Sequence, residues 1–400
     1  MDYRRVPPLL PKLRSLPKRH RVLMKNYDVL IVGAGIVGCA CARELAQAGV
    51  QVGIVESNIP SSGATAAGMG HLVVMDDSPA QLRLTRYGRA LWQQLIPELP
   101  GAVEYETRGT LWIAADEQEM AEVHAKKTTY TVAGVRADIL NEAQVAAEEP
   151  NLRRGLAGGL LVPDDAVIYP PAASDFLLQQ AVAHGATLLQ GTAAVAAANG
   201  NLHLADGTVL HSERIVLATG ADCALLPTLP IKKRKGHLVI TDRYPSFLHH
   251  QLVELGYLKS AHKLEADSVA FNIQPRRTGQ LLIGSSRQYG DENPQSDARI
   301  LTRMLERAES YMPALAQLSG LRVWTGFRAA TPDKLPLIGP AAGLSDDPSL
   351  WLAAGFEGLG ITNALAAARL LTDQLLDRTS EIDTVPYLPQ RITKQAALHA

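Results

Sequence analysis

Two glycine-rich turns, one near each end of the 400-residue chain, hold the residue types and spacings that point most directly to chemistry. In the first, Gly33-Ala34-Gly35-Ile36-Val37-Gly38 follows the apolar stretch Tyr27 to Val32 and opens a helical pattern over Cys39 to Ala48. A second apolar stretch, Val50 to Val55, ends in Glu56, with Ser57 beside it. Each part meets a requirement of a bound dinucleotide. Gly33 permits a tight turn, Gly35 lets backbone approach a pyrophosphate, and Gly38 lets the helix lie close to the strand. The helix N-terminus faces the negative charge, and Glu56, 18 residues beyond Gly38, can accept the ribose hydroxyls. A structural glycine turn is the alternative, and the turn alone does not separate NAD from FAD.

The second turn lies in LWLAAGFEGLGITNALAAARLL, residues 350 to 371, where a short apolar strand meets Gly355, Gly358 and Gly360 and then a helix. FAD explains a pair of such turns. Its adenosine and pyrophosphate need one helix N-terminus, while its distant isoalloxazine ring gains negative charge near N1 on reduction. A second helix N-terminus stabilises that charge through its dipole and free N–H groups. Gly358, Leu359, Gly360, Ile361 and Thr362 are the candidates, with Thr362 also a candidate helix cap. An ordinary glycine loop before a surface helix is the alternative.

The elements that must position these turns follow from patterning. Residues 61 to 72, SSGATAAGMGHL, are too small to be core and suit a loop folded over a flat ligand, with Ser62, Thr65, Gly68 and Met69 close to it. An amphipathic helix is expected over 78 to 98, burying Leu82, Tyr87, Leu91 and Leu95, and a strand over Gly109 to Ala114. The α/β pattern returns with a helix from 173 to His184 and the strand Thr187 to Leu189. Turns follow at Asn199-Gly200 and Asp206-Gly207, and the strand Arg214 to Leu217 leads into Ala218-Thr219-Gly220. Beyond 231 come longer strands, Gly236 to Thr241, Val269 to Ile273 and Leu281 to Ser285, then a helix over about 295 to 311. The expected class is α/β, α+β overall. A Rossmann-like cofactor domain (27–75, 151–230 and 326–380) is interleaved with an antiparallel-sheet substrate domain (76–150 and 231–325), between a basic leader (1–26) and a C-terminal tail (381–400).

Composition bounds the function. The formal charge of −1 conceals eight Lys or Arg against one Asp in residues 1 to 26, which leaves 31 basic against 39 acidic side chains, about −8, for the rest. Such an acidic body disfavours nucleic acid. No apolar run approaches 18 residues, so no transmembrane segment is expected. The leader has no apolar core or small-residue cleavage site and reads as a disordered extension, with an Arg-rich targeting peptide as the minority reading. Three cysteines, Cys39, Cys41 and Cys223, without a CxxC, fit a reducing cytoplasm and cannot supply a four-cysteine iron–sulfur cluster. Cys39 and Cys41 are expected to serve packing. No metal site is expected.

In order along the chain, GAGIVG with Glu56, the AAGM loop at 66 to 69, VLATGA at 216 to 221, KGHLVIT at 235 to 241, QPRRTGQLLIG at 274 to 284, GFRAATPDKLPLIGP at 326 to 340 and the final glycine turn resemble the D-amino-acid-oxidase-like flavoproteins. That group includes glycine oxidase, sarcosine oxidase and D-amino acid dehydrogenases. GFEGLGIT looks most like the flavin-bearing components of the dehydrogenase complexes that act on D-hydroxyproline and on opines, although Phe356 stands where those show His. The resemblance implies oxidation of an amine beside a carboxylate to an imine, with hydride passing to flavin N5. Arg328, after Gly326 in GFRAATPD, matches the substrate-carboxylate arginine; a planar guanidinium suits a carboxylate through two parallel hydrogen bonds. An ion pair with Asp333 is its structural alternative. His71 is a candidate to adjust the amine proton or contact the ring, and Asn272 lies where glycine-oxidase-like members place a substrate-facing tyrosine; each also has a structural explanation. Thr65 stands where some relatives attach FAD through His, and no Cys follows Cys223, so noncovalent FAD is expected.

Leu281-Leu282-Ile283-Gly284 occupies the strand on which sarcosine-oxidase-like members carry an oxygen-activating lysine, which favours a dehydrogenase. Electrons would then leave through partner subunits carrying iron–sulfur or a second flavin, or through a quinone. The implied location is the cytoplasm, with the periphery of the inner membrane as the alternative. A peroxide-forming glycine or D-amino-acid oxidase, a mainly structural flavoprotein subunit and, more weakly, an NAD-dependent dehydrogenase are the competing readings.

Overall fold

The computed structural model describes residues 26–256 and 267–392; the leader's first 25 residues and the end of the C-terminal tail lie outside the described residues. Two eight-stranded sheets organise the chain. The first has a parallel core in the spatial order Leu350–Ala354, Val209–Leu217, Asn26–Val32, Val52–Glu56 and Thr187–Gln190, with Leu337–Pro340 antiparallel at one edge. Its central residues Leu30, Ile31, Ile54, Ile215 and Val216 are fully buried. Unbroken apolar runs, rather than alternating ones, suit strands covered on both faces. The Asn199-Gly200 turn has both residues at positive φ and joins Ala194–Ala198 to Asn201–Leu204, as its sequence predicts.

Helices Ile36–Gln47, Pro170–Ala183 and Gly360–Leu375 share one core. Small side chains at their contacts, Ala40, Cys41, Ala42, Ala364, Ala366, Ala367 and Ala368, are all buried and let the axes approach closely. Burial pushes the Cys39 thiol up to about 12 and the Cys41 thiol higher still, so both behave as inert packing groups.

The second sheet runs Gly320–Ala330, Lys232–Arg243, Gln280–Tyr289, Ser268–Pro275, Gln251–Glu254, Thr110–Ala114, Gly158–Val162 and Asp138–Asn141. All its pairings are antiparallel except Gln251–Glu254 with Thr110–Ala114. Helix Ala298–Tyr311 covers one face, where Phe271 and Tyr311 stack with ring centroids 4.9 Å apart. The opposite face carries the candidate site.

Several segments cross the boundaries read from sequence. Gly158–Val162 belongs to the antiparallel sheet, and so does the whole of Gly320–Ala330, which carries Arg328. Helix Pro79–Leu95 packs on helix Gly360–Leu375. Its deepest face is Leu84, Gly88 and Trp92, whereas the expected Tyr87 and Leu91 are only half-buried. Gly88 explains the difference: a Cβ there would run into the Thr362 carbonyl, so the helices meet along this glycine.

Candidate active site

The first turn is built as its spacing predicts. Gly33 has φ +104°, and a side chain there would meet the Ala218 carbonyl oxygen at 2.6 Å. A Cβ on Gly38 would collide with the Gly33 carbonyl, so Gly38 serves helix–strand contact. Glu56 Oε2 accepts the Ala34 N–H at 2.8 Å and its Oε1 the Asn58 N–H at 2.8 Å, which fixes the carboxylate beside the turn. Thr65 Oγ1 accepts the Ile36 N–H at 3.0 Å, tying the 61–72 loop to the start of the first helix.

The second turn lies at the other end of the same space. Helix Gly360–Leu375 starts without any side-chain cap on Leu359, which leaves the first-turn N–H groups for other acceptors. Thr362 is not the cap. Its Oγ1 donates to the His71 carbonyl at 2.9 Å and accepts the Val73 N–H at 3.2 Å, so it pins the loop to the helix. The same loop is tied to the antiparallel sheet: the Gln274 side chain donates to the Met69 carbonyl at 2.6 Å and Trp324 to that of Ala67 at 3.3 Å.

One cavity of about 530 Å³ joins the turns. It is lined by the expected cofactor residues Gly33, Gly35, Ile36, Val37, Glu56, Ser57, Ser62, Thr65, Gly68, Met69, Gly220, Gly326, Gly358, Leu359, Gly360 and Ile361, and by Arg328, His71 and Asn272. Gly38 and Thr362 do not line it; they support those that do.

Arg328 is boxed in. A Cβ on Gly236 would lie 2.6 Å from its Nη1, and one on Gly358 would lie 3.1 Å from its Cδ. Nη1 donates to the Ser286 carbonyl at 2.9 Å. Asp333 is engaged by Arg391, at 2.7 and 3.0 Å, so the ion pair weighed for Arg328 is made elsewhere. His237 braces Ser286: its Nδ1 lies 2.8 Å from Ser286 Oγ, and its Nε2 accepts the Asp297 N–H at 2.9 Å. Burial, then the charge of Lys235, holds this imidazole below its ordinary range.

Other groups were missed in the sequence. Gln251 is fully buried and lines the cavity, yet neither Oε1 nor Nε2 has a hydrogen-bond partner among the described residues. Asn272 Oδ1 and His71 Nε2 are likewise unpartnered. Arg287, Ser285 and Trp112 also line the cavity, as does the buried Arg234–Glu357 ion pair beside the second turn. Gln251, Thr110 and Trp112 could have been found from strand alternation: Gln251 pairs with Thr110, Val253 with both Trp112 and Asn272, and alternate residues share a face. Burial pushes His71 down to about 4, partly offset by a hydrogen bond with Gln274, so the ring is neutral at neutral pH.

The residues fit a long dinucleotide: two helix N-termini open on one cavity, with glycines where backbone must approach the ligand. This arrangement defines a dinucleotide-dependent oxidoreductase class. The chain belongs to the FAD dependent oxidoreductase family (DAO), matched over residues 28–374, and its cofactor is FAD. It is 30% identical to a glycine oxidase of Pseudomonas aeruginosa over 90% of this chain and 98% of that one. Among solved structures it is similar to glycine oxidase from Geobacillus kaustophilus (TM-score 0.81, 26% identity, 92% and 99% of the two chains covered). The fold is also that of L-proline dehydrogenase from P. horikoshii (TM-score 0.84, 21% identity, 93% and 99% covered). No helix among the described residues is long and apolar enough to cross a membrane.

Proposed function

We propose that this enzyme oxidises a small primary or secondary α-amino acid at its CH–N bond. Arg328 would hold the carboxylate and so orient the α-C–H towards a flavin bound beside the second glycine turn. The observation that carries this reading is the placement of Arg328 against Gly358, so that a carboxylate clamp and an uncapped helix N-terminus share one cavity. Bound FAD supplies the two-electron acceptor. The α-hydrogen would leave with the C–H bonding pair as hydride while the nitrogen lone pair forms the C=N bond. The nitrogen must therefore be neutral, which a desolvated pocket next to a guanidinium favours. His71, held near 4 by burial, is too weak a base to keep the proton that the ammonium form must lose first, so its place in the cavity suits contact with the ring rather than proton transfer. The uncapped first-turn N–H groups of Gly360 to Thr362 would stabilise the negative charge that a bound flavin gains on reduction.

In the finer reading the substrate is D-hydroxyproline or another D- or N-substituted amino acid, and the enzyme is a dehydrogenase. GFEGLGIT and the leucines at 281 and 282 support it. FAD is noncovalent, and reoxidation runs through partner subunits or a quinone, in the cytoplasm or at the inner-membrane periphery. The second reading, a glycine oxidase using oxygen, draws on the 30% identity to a protein of that name. Anaerobic bleaching of the flavin by D-proline, cis-4-hydroxy-D-proline, D-alanine, sarcosine and glycine, followed by air, separates the two. Bleaching by proline-like compounds with slow return of colour supports the dehydrogenase. Rapid return with peroxide supports the oxidase, and no bleaching by any of them rejects amino-acid oxidation.

A further inference from the structure

We infer that Gln251, with Asn272, forms a polar subsite that recognises a hydroxyl group on the substrate, away from the carboxylate held by Arg328; the inference rests on the amino-acid reading above. The floor of the cavity is one face of the antiparallel sheet, and much of it is apolar or closed: Val253 and Leu238 line it, Thr110 spends its hydroxyl on Asp165 at 2.6 Å, and Trp112 presents its ring with Nε1 unpartnered among the described residues. Against that background Gln251 is anomalous. Its side chain is fully buried on the cavity wall, and both amide atoms lack partners among the described residues. Exchanging the two atoms by an amide flip changes nothing, because both are unpartnered. One strand away, on the same face, Asn272 Oδ1 is unpartnered as well.

A buried amide without partners destabilises a fold, and a native chain retains one where a ligand completes it. The local inventory is the two N–H groups of Gln251 Nε2, the Trp112 Nε1–H and the carbonyl oxygens of Gln251 and Asn272, all uncharged. A hydroxyl matches it, since its oxygen accepts from Nε2 while its hydrogen donates to either carbonyl oxygen. The substrate class is therefore a primary or secondary α-amino acid bearing a hydroxyl on its side chain or ring. Glycine and sarcosine, which have no such group, leave the amides unsatisfied and are the poorer substrates.

The test compares cis-4-hydroxy-D-proline with D-proline on the holoenzyme and its Gln251→Leu variant. The expected wild-type preference for the hydroxylated compound is at least tenfold in kcat/KM, lost in Gln251→Leu while the D-proline value stays within about threefold. Gln251→Leu should also raise the Tm without substrate, because it removes an unsatisfied buried amide. Gln251→Met serves as a second variant if leucine impairs folding, and it too should abolish the preference, since it keeps the length of the side chain without its amide. Equal turnover of the two compounds by the wild type, or an equal loss for both in the variants, overturns the subsite while leaving amino-acid oxidation standing. Failure of every amino acid to reduce the flavin rejects the amino-acid reading itself, and the subsite with it.

Discussion

At the scale of single residues, the site depends on where one guanidinium is held. Gly236 lies outside both glycine turns, yet a methyl group there would lie 2.6 Å from Arg328 Nη1, the far end of a flexible side chain. Gly236→Ala should therefore fold with a Tm close to wild type while displacing the clamp, raising KM for carboxylate substrates about tenfold; steady-state kinetics beside a melting curve check both halves. His71 makes a second prediction. Its folded pKa of about 4 lies below the ordinary imidazole value of 6.5, so the unfolded chain takes the proton first and stability is lost as pH falls through that window. Asp165 acts in the opposite sense. Burial, countered by Arg89, raises it to about 6, so its contribution favours the folded state as pH falls from 6 towards 3.8. The two offset each other in the raw curve, and the informative quantity is the difference between wild type and His71→Asn. That difference should shrink on acidification from pH 6.5 to 4; a pH-independent difference would contradict the assignment.

At the scale of elements, the 61–72 loop is the joint between the sheets, and it is tied to the second helix by one hydroxyl. Thr362→Val keeps the shape but leaves the Val73 N–H without its acceptor, at a cost of about 1–3 kcal/mol. Thermal melting should show that loss, together with weaker flavin retention on gel filtration. Gly88→Ala should cost more, because its methyl would meet the backbone at Thr362 rather than a side chain that can move. Both turns and the parallel strands were legible in the sequence because glycine spacing and unbroken apolar runs have local physical causes. Thr362 was not legible as a tether, since its partners His71 and Val73 lie almost 300 residues away in the chain. The amphipathic face of helix Pro79–Leu95 was legible only in part, with Leu82 and Leu95 buried as expected and Tyr87 and Leu91 half-buried, for a related reason. A glycine contact surface has no hydrophobic signal, so periodicity passed over Gly88.

At the scale of the whole molecule, the chain crosses between two sheets and leaves one cavity where they meet. The sequence conveys that interleaving, but not that Gly158–Val162 would join the antiparallel sheet or that Arg328 would reach the flavin turn from it. Those facts depend on strand pairing over long separations, which local pattern does not encode. Arg89, Asp165 and Thr110 form a buried network at this junction, with the Arg89–Asp165 pair at 2.7 Å. Removing one partner strands the other, so Arg89→Met should destabilise the enzyme by about 3–5 kcal/mol, measurable by urea unfolding.

The central claim is that a flavin between the two turns receives hydride from a substrate held by Arg328. Its most direct test is the anaerobic rate of flavin reduction by a turned-over amino acid and by the corresponding amide, in wild type and in Arg328→Ala. The account predicts that wild type reduces with the acid at least tenfold faster, and that Arg328→Ala retains FAD but reduces with both at the same slow rate. An unchanged preference for the acid in Arg328→Ala would contradict it.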